Sequence, residues 1–458
     1  MSRPARGTGH GTSAVSPHWR DALRPPHGVL DVARRLEDAG YETWCVGGAV
    51  RDAALGRPSL DWDLATAALP AEVQRLFRRT VPKGVAFGTV GVIDRGGVMH
   101  EVTTFRRDVR TDGRHAEVEF GASLQDDLAR RDFTINAIAY RPATGAVADP
   151  FDGVGDLGRR LVRAVGEPGA RMREDRLRAL RAIRFAARFE FAIAPETWRA
   201  IVESAPHLGR LSPERVREEL EKTMRQAARP SWALERWRES GALGALVPAL
   251  AGQPREAFAA CDYLPMPTLA ARPQRLWNRM AAPWLGLDRA AVERALTALR
   301  CAKQEVRWAA DLADRWDVLA PAFRTGLADG GPAPDDATLR RWAARCGRTL
   351  VAPVLRLAAA RFAAERAAGL AAPSGAAVRS AYRRAVRIAY RDPVELSDLA
   401  VSGSDLADAG VRAGPLVGTI LRSLLDAVVE DPARNRRDWL LDEARRLAAA
   451  PSTRPETT

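Results

Sequence analysis

The chain has 458 residues, 46% of them apolar and 28% charged, which is material for two to four domains with real cores and excludes a disordered polymer. Its formal charge of +13 favours a polyanionic partner such as nucleic acid, although solvated surface charge gives the same total. The four cysteines, Cys45, Cys261, Cys301 and Cys346, show no CxxC spacing, which speaks against a disulfide framework or a zinc knuckle and for a reducing compartment.

Residues 1–27 are rich in Gly, Pro, Ser and Arg without periodicity and read as a disordered tail, with no apolar core of a secretion signal. No later stretch reaches the roughly 18 uninterrupted apolar residues of a membrane span, so a soluble, cytoplasmic protein is expected. Over 28–157 the texture is mixed α/β. Helical spacing covers 31–40, "TWCVGGAV" reads as a short strand entering a Gly-Gly turn, and "FGTVGVID" and "MHEVTTFRR" read as paired strands around a turn at 95–97. After "DPFDGVGDL" the strands are expected to stop. Residues 158–225 read as a helical neck, 226–450 as an all-α body and tail, and 451–458 as a second disordered end. The expected fold class is therefore α+β, an α/β head followed by helices, with no fixed repeat that would mark a solenoid.

The head carries "DWDLAT". In a strand, positions i and i+2 share a face, so Asp61 and Asp63 project together while Trp62 turns into a core. Two unpaired carboxylates about 7 Å apart repel, and Mg²⁺, which takes hard oxygen ligands, offsets that repulsion. An isolated pair of this kind is more often two ordinary surface aspartates. Upstream, however, "CVGGAVRD" reads as strand, Gly-Gly turn and helix start, where backbone can approach a phosphate closely. Glu101 in "HEVTTF" shares a strand face with Thr103 and offers a third carboxylate, or else a rim charge. A trio of this type can hold two ions about 3.5 to 4 Å apart, which stabilise an attacking 3′-oxygen and a leaving pyrophosphate.

"CVGGAVRD" with "DWDLAT", then "RRDFTINAIAY", "DPFDGVGDL", "EDRLRALRAIRF" and "SPERVREELEKTM", in this order from about residue 46 to 224, resemble the successive motifs of class II tRNA nucleotidyltransferases, the CCA-adding enzymes and their bacterial poly(A) polymerase relatives. The resemblance implies a nucleotidyltransferase palm in the head, with Asp61 and Asp63 as metal ligands. It also implies triphosphate contacts from Gly47, Gly48 and Arg51, and ribose or phosphate contacts from Arg131, Asp132 and Asn136. Within "RRDFTINAIAY" the apolar residues Phe133, Ile135, Ala137, Ile138 and Tyr140 are expected to pack a helix on the sheet, with Asp132 and Asn136 one turn apart. Substrates CTP and ATP, a tRNA acceptor end as partner and Mg²⁺, two ions, follow from the same resemblance.

Base choice without a nucleic-acid template is the harder requirement. On one helix, Glu174, Asp175 and Arg178 would cluster over a single turn. A carboxylate that accepts from an exocyclic amine, beside a guanidinium that donates to a ring nitrogen, satisfies cytosine and adenine alike, and leaves uracil and guanine with unpaired polar groups. By itself, EDxxR is more often an intrahelical salt bridge; the preceding motifs shift the reading to base selection by Asp175 and Arg178. Arg181, Arg184 and Arg188 recur at helical spacing and suggest a stripe facing RNA phosphates.

"PKGVAFGTVGV" and the polar stretch 110–120, "RTDGRHAEVEF", resemble the CCA-adding pattern more than the poly(A) polymerase one. All six histidines lie at or before His207, which excludes an HD-type phosphohydrolase site in the C-terminal half. In the body, Trp308, Leu312 and Trp316 have core spacing, and the surrounding arginines suit either tRNA or solvent. Two alternatives stay open at this point, a poly(A) polymerase acting on RNA 3′ ends and a catalytically inactive RNA-binding protein.

Overall fold

The computed structural model describes residues 15–449 apart from 17, 58, 60, 112–115, 268–272 and 413. Most of the expected tail over 1–27, all of 451–458 and the tip of the polar stretch 110–120 therefore lie outside the described residues. The chain divides into two compact units, Met1–Thr223 with Arg236–Pro248, and Met224–Glu235 with Ala249–Thr458.

The first unit begins with helix α1 (His27–Asp38), where Val29, Val32, Ala33 and Leu36 recur at helical spacing and are buried together. Strand β1 (Thr43–Val46) and the seven-residue helix α2 (Gly48–Ala54) follow, joined at Gly47. Then come β2 (Asp63–Thr66), α3 (Pro70–Leu76), β3 (Thr80–Gly84), β4 (Thr89–Ile93) and β5 (Met99–Thr104). The hairpin of β6 (Arg106–Thr111) and β7 (Ala116–Phe120) leads to α4 (Leu124–Ala129), β8 (Ala139–Arg141) and β9 (Ala146–Ala148). Seven strands make one mixed sheet in the order β3-β4-β5-β2-β1-β8-β9, in which only β2 and β5 run parallel. Every residue of β1 is buried because both faces are covered. Helix α1 touches β1 and β2 on one side, and on the other Trp44, Val46, Ala65, Phe105, Leu128, Ala137 and Ala139 form a common core. Each large apolar side chain there contributes roughly 1.5 to 3 kcal/mol.

Two expectations are corrected here. "RRDFTINAIAY" does not form a helix. Thr134–Asn136 make a single 3₁₀ turn, and the chain then straightens into β8, which pairs with β1. Pairing of β8 with β1, together with the burial of Ile135, Ile138 and Ala139, outweighs a helical spacing of apolar residues. Nor do strands stop at "DPFDGVGDL". After α5 (Gly153–Arg159), β10 (Leu161–Val162) pairs in parallel with β11 (Ala192–Ile193). The "DPFDGVGDL" segment is itself a clasp. Both oxygens of Asp149 accept the amides of Gly153 and Val154, at 2.7 and 2.9 Å, and buried Asp156 accepts from Thr134 Oγ1 at 2.6 Å and Arg163 Nε at 2.8 Å. A Cβ on Gly153 would lie 2.2 Å from the Thr134 carbonyl oxygen, so only glycine fits.

The neck consists of α6 (Pro168–Glu174), α7 (Leu177–Phe189), α8 (Pro195–Ser204) and α9 (Pro213–Gln226). The second unit is helical. Leu312 and Trp316 on the helix Lys303–Gly326 are buried, Trp308 is half-buried and donates to Asn278 Oδ1 at 3.2 Å, and Phe323 meets Trp342 edge-on at 4.8 Å. Arg279, 1% exposed, donates to the carbonyls of Met224 and Ala227 at 2.7 and 3.0 Å. Among the described residues no helix is long and apolar enough to cross a membrane.

Candidate active site

Gly47 adopts φ +75°, a conformation costly for any residue with a Cβ, and a Cβ there would lie 2.9 Å from Nη1 of Arg131. The Gly-Gly turn therefore carries a guanidinium directly against its backbone. Arg131 is held in that place by Asp127, whose Oδ2 accepts its Nη2 at 3.0 Å, and by the Asn136 carbonyl at 3.3 Å. Asp127 is fully buried. Burial would raise its pKa, but Arg130 and Arg131 overcome that and hold it below the usual carboxylate range. Sequence reasoning missed Asp127, although its i,i+3 and i,i+4 spacing to two arginines on "QDDLARR" was the available signal.

β2 begins at Asp63, so Asp61 and Trp62 precede the strand. Trp62 is 3% exposed and donates Nε1 to the Ser59 carbonyl at 2.9 Å, which anchors the approach while Asp61 stays exposed. Leu64 pairs with Val102 in the parallel register, which sets Asp63 beside Glu101 on one face of the sheet. Burial above all, then the charges of Asp61 and Glu101, push the Asp63 carboxyl up to about 6, against the opposing pull of Arg131 and Lys83. The three acids thus share one electrostatic neighbourhood. They do not close into a cage. Glu101 is engaged by the Lys83 ammonium, and among the described residues no three acidic, histidine or cysteine groups converge on a point where one ion could bind all of them. Of the three carboxylates expected as metal ligands, Asp63 and Glu101 share a sheet face, exposed Asp61 lies just before the strand, and Glu101 is bridged to lysine. An all-carboxylate donor set carrying surplus negative charge suits a hard divalent cation.

Arg51, expected at a triphosphate, turns inward. It is 3% exposed, donates Nη1 to Asn136 Oδ1 and Nε to Asp52 Oδ1 at 2.9 Å, and lies over the rings of Phe185 and Phe189 at 5.1 and 4.8 Å. Desolvation lowers its pKa to about 10. Asp132 and Asn136 do meet, with Asn136 Nδ2 donating to Asp132 Oδ1 at 2.8 Å. The other Asp132 oxygen accepts Arg181 Nε at 2.8 Å. Burial alone would raise the Asp132 pKa; Arg181 and Asn136 bring it down to about 2.

The neck departs from the single-turn arrangement. α6 ends at Glu174, Asp175 is extended with φ −145°, and α7 starts at Leu177. The break has a local cause, because Asp175 Oδ1 accepts the Leu177 amide at 3.1 Å and so serves the start of the next helix. Its Oδ2 pairs with Arg215 at 2.8 Å, not with Arg178. Arg178 donates Nη1 to Glu174 Oε2 at 2.6 Å and to the Arg171 carbonyl at 3.2 Å, and Nη2 to the Arg130 carbonyl at 2.9 Å. Its Nε and one proton of Nη2 remain without a partner among the described residues. The proposed RNA-facing stripe is also corrected. Arg181 binds Asp132, Arg184 binds buried Glu219, and Arg188 binds Asp52 at 2.9 Å, so all three are internal ties.

Three family models match the chain: the poly(A) polymerase head domain over residues 43–163, the RNA- and SrmB-binding site of polymerase A over 190–253, and domain 2 of tRNA nucleotidyltransferases over 364–444. Among curated proteins, the CCA-adding enzyme of Geobacillus stearothermophilus is 44% identical over 258 residues, a segment covering 55% of this chain and 62% of that enzyme. The crystal structure of the Bacillus stearothermophilus CCA-adding enzyme in complex with CTP superposes with a TM-score of 0.71 at 33% identity, covering 93% of this chain and 99% of that one. The Thermotoga maritima CCA-adding enzyme complexed with tRNA shares the fold, with a TM-score of 0.62 at 20% identity over 94% of this chain and 98% of that one.

Proposed function

Because the chain belongs to the family of CCA-adding enzymes, we propose that it adds C, C and A to the 3′ end of tRNA from CTP and ATP, releasing pyrophosphate and using no nucleic-acid template. The observation that carries this reading is the meeting of Arg131, the Gly47 turn and the Asp61–Asp63 pair in one electrostatic neighbourhood at the sheet edge.

Gly47 and Gly48 present backbone to the triphosphate, and Arg131, held from behind by Asp127, supplies the cation next to it. Asp61 and Asp63 would hold Mg²⁺, with Glu101 as a further oxygen donor. Such an ion would supply neutralisation of charge on the entering 3′-oxygen and the departing pyrophosphate. The terminal hydroxyl attacks the α-phosphorus as the bond to pyrophosphate breaks. Asp132 and Asn136, fixed to each other and to Arg181 and Arg51, form the rigid wall from which ribose or phosphate is read. At the neck, the two open N–H groups of Arg178 face a ring nitrogen and the half-exposed Asp175 carboxylate accepts the amine shared by cytosine and adenine, while Glu174 holds the Arg178 guanidinium in plane. Arginines of the second unit would guide the tRNA.

The test is to incubate the purified protein with tRNA lacking its 3′ end and with each labelled nucleotide separately. CCA addition incorporates C and A and stops after three residues. Extension with A alone would replace this reading with that of a poly(A) polymerase, and no incorporation would leave an RNA-binding protein.

A further inference from the structure

Lys83 is one of three lysines in the chain, the others being Lys222 and Lys303, against 67 arginines. Its place in the sheet is unusual in a second way. In the β3–β4 pair, Pro82 faces Val90 and Gly84 faces Thr89, so Lys83 is the extra, unpaired residue of a bulge. Bulges re-aim the side chain they carry. Here the side chain leaves edge strand β3, passes β4 and reaches Glu101 on β5. The β4 residue that pairs with Glu101 is Gly91, which places no side chain of its own between them. The charges of Asp61 and Asp63 act on the same ammonium. A lysine on a sheet edge commonly does no more than block pairing with another edge, but that role needs a side chain aimed along the edge into solvent, not one folded back over two strands onto an acid.

We propose that Lys83 is a resident counter-ion of the acidic edge: in the ion-free protein its ammonium sits where a cation would be held by Glu101, and it competes with a divalent ion for that carboxylate. The inference rests on the reading of the Asp61–Asp63 edge as a metal site. It accounts for the failure of the three carboxylates to converge, since the lysine draws Glu101 aside. It also gives lysine an advantage over arginine. An ammonium is a compact point charge that one carboxylate oxygen releases easily, whereas a guanidinium would grip both oxygens in a fork and resist displacement.

The experiment is a Mn²⁺ titration of the full-length, nucleotide-free protein, with unbound Mn²⁺ followed by electron paramagnetic resonance. Lys83→Met is expected to bind Mn²⁺ about three- to tenfold more tightly than the wild type, because an exposed charge at this range is worth a modest factor. Lys83→Arg is expected to bind more weakly than the wild type. Equal or weaker binding by Lys83→Met, or binding by Lys83→Arg as tight as that of Lys83→Met, overturns the competition. Asp63→Ala separates the two layers of the argument. If it binds Mn²⁺ as the wild type does, or if the wild type does not bind, the metal-site reading itself fails and the role of Lys83 with it. If Asp63→Ala loses the ion while Lys83→Met is unchanged, only the role of Lys83 is lost.

Discussion

Two regions of the first unit handle charge in opposite ways. At the sheet edge, Asp61, Asp63 and Glu101 share the influence of one lysine and one arginine, and burial first, then the neighbouring carboxylates, displace Asp63 upward to about 6. In α7, each arginine of the inward stripe meets an acid: Arg181 meets Asp132, Arg184 meets Glu219, and Arg188 meets Asp52, which it shares with Arg51. Charge that meets an opposite charge builds the scaffold, and charge left in surplus marks where a ligand completes the balance. The lesson is that counting arginines locates neither; what matters is whether an acid from elsewhere in the fold meets them.

The sharpest way to break this contrast is to remove one charged side chain from each region. Asp63→Ala should cut nucleotide incorporation by roughly a thousandfold or more, with tRNA affinity changed only a few-fold, as read by single-turnover assays and filter binding. Arg184→Met should leave Glu219, 1% exposed, with only Lys222 at 4.0 Å as an ion-pair partner among the described residues and cost about 3 kcal/mol in chemical denaturation. If Arg184→Met were neutral for stability, the neck lattice would not be the scaffold described here. The third measurement turns on sign. The folded pKa of Asp63 lies above its ordinary value of 3.8, so the native state holds that proton more tightly than the unfolded chain. Stability from this group is greatest in acid and declines as pH rises from about 4 to about 6. Asp63→Asn should therefore stabilise the ion-free protein by about 1 to 3 kcal/mol above pH 6, with the advantage vanishing near pH 4. Thermal melts across that range in a chelating buffer check it, and a constant gap would show that the Asp63 proton is not the cause. The smallest effect concerns selection. Asp175→Ala should lower discrimination of CTP over UTP by about tenfold in competition assays, and unchanged discrimination would move base choice away from the neck.

Much of the head was legible in the sequence because strand alternation depends on neighbours two residues apart. The strands at 89–93 and 99–104, the Gly47 turn and the burial of Trp62 follow from that local rule. What was not legible depends on residues far along the chain. Helical spacing placed Arg181, Arg184 and Arg188 on one face correctly, but the acids that turn that face inward lie 49 residues before, 35 after and 136 before. The same holds for Arg51, whose aromatic neighbours Phe185 and Phe189 come from the neck. "RRDFTINAIAY" was misread because its apolar positions fit a helix as well as a strand, and the vacancy beside β1 decided between them. The break at Asp175 is a competition between continuing a helix and capping the next one, which spacing alone does not resolve.

The Arg51 guanidinium, wedged against Phe185 and Phe189 while bonded to Asn136, works as a rivet between head and neck. A riveted frame behaves as calipers locked at one opening. If that tie stays made through successive additions, the span from the acidic edge to the neck would be constant, and the difference between a one-ring and a two-ring base would fall to side chains at the rim rather than to a hinge at this joint.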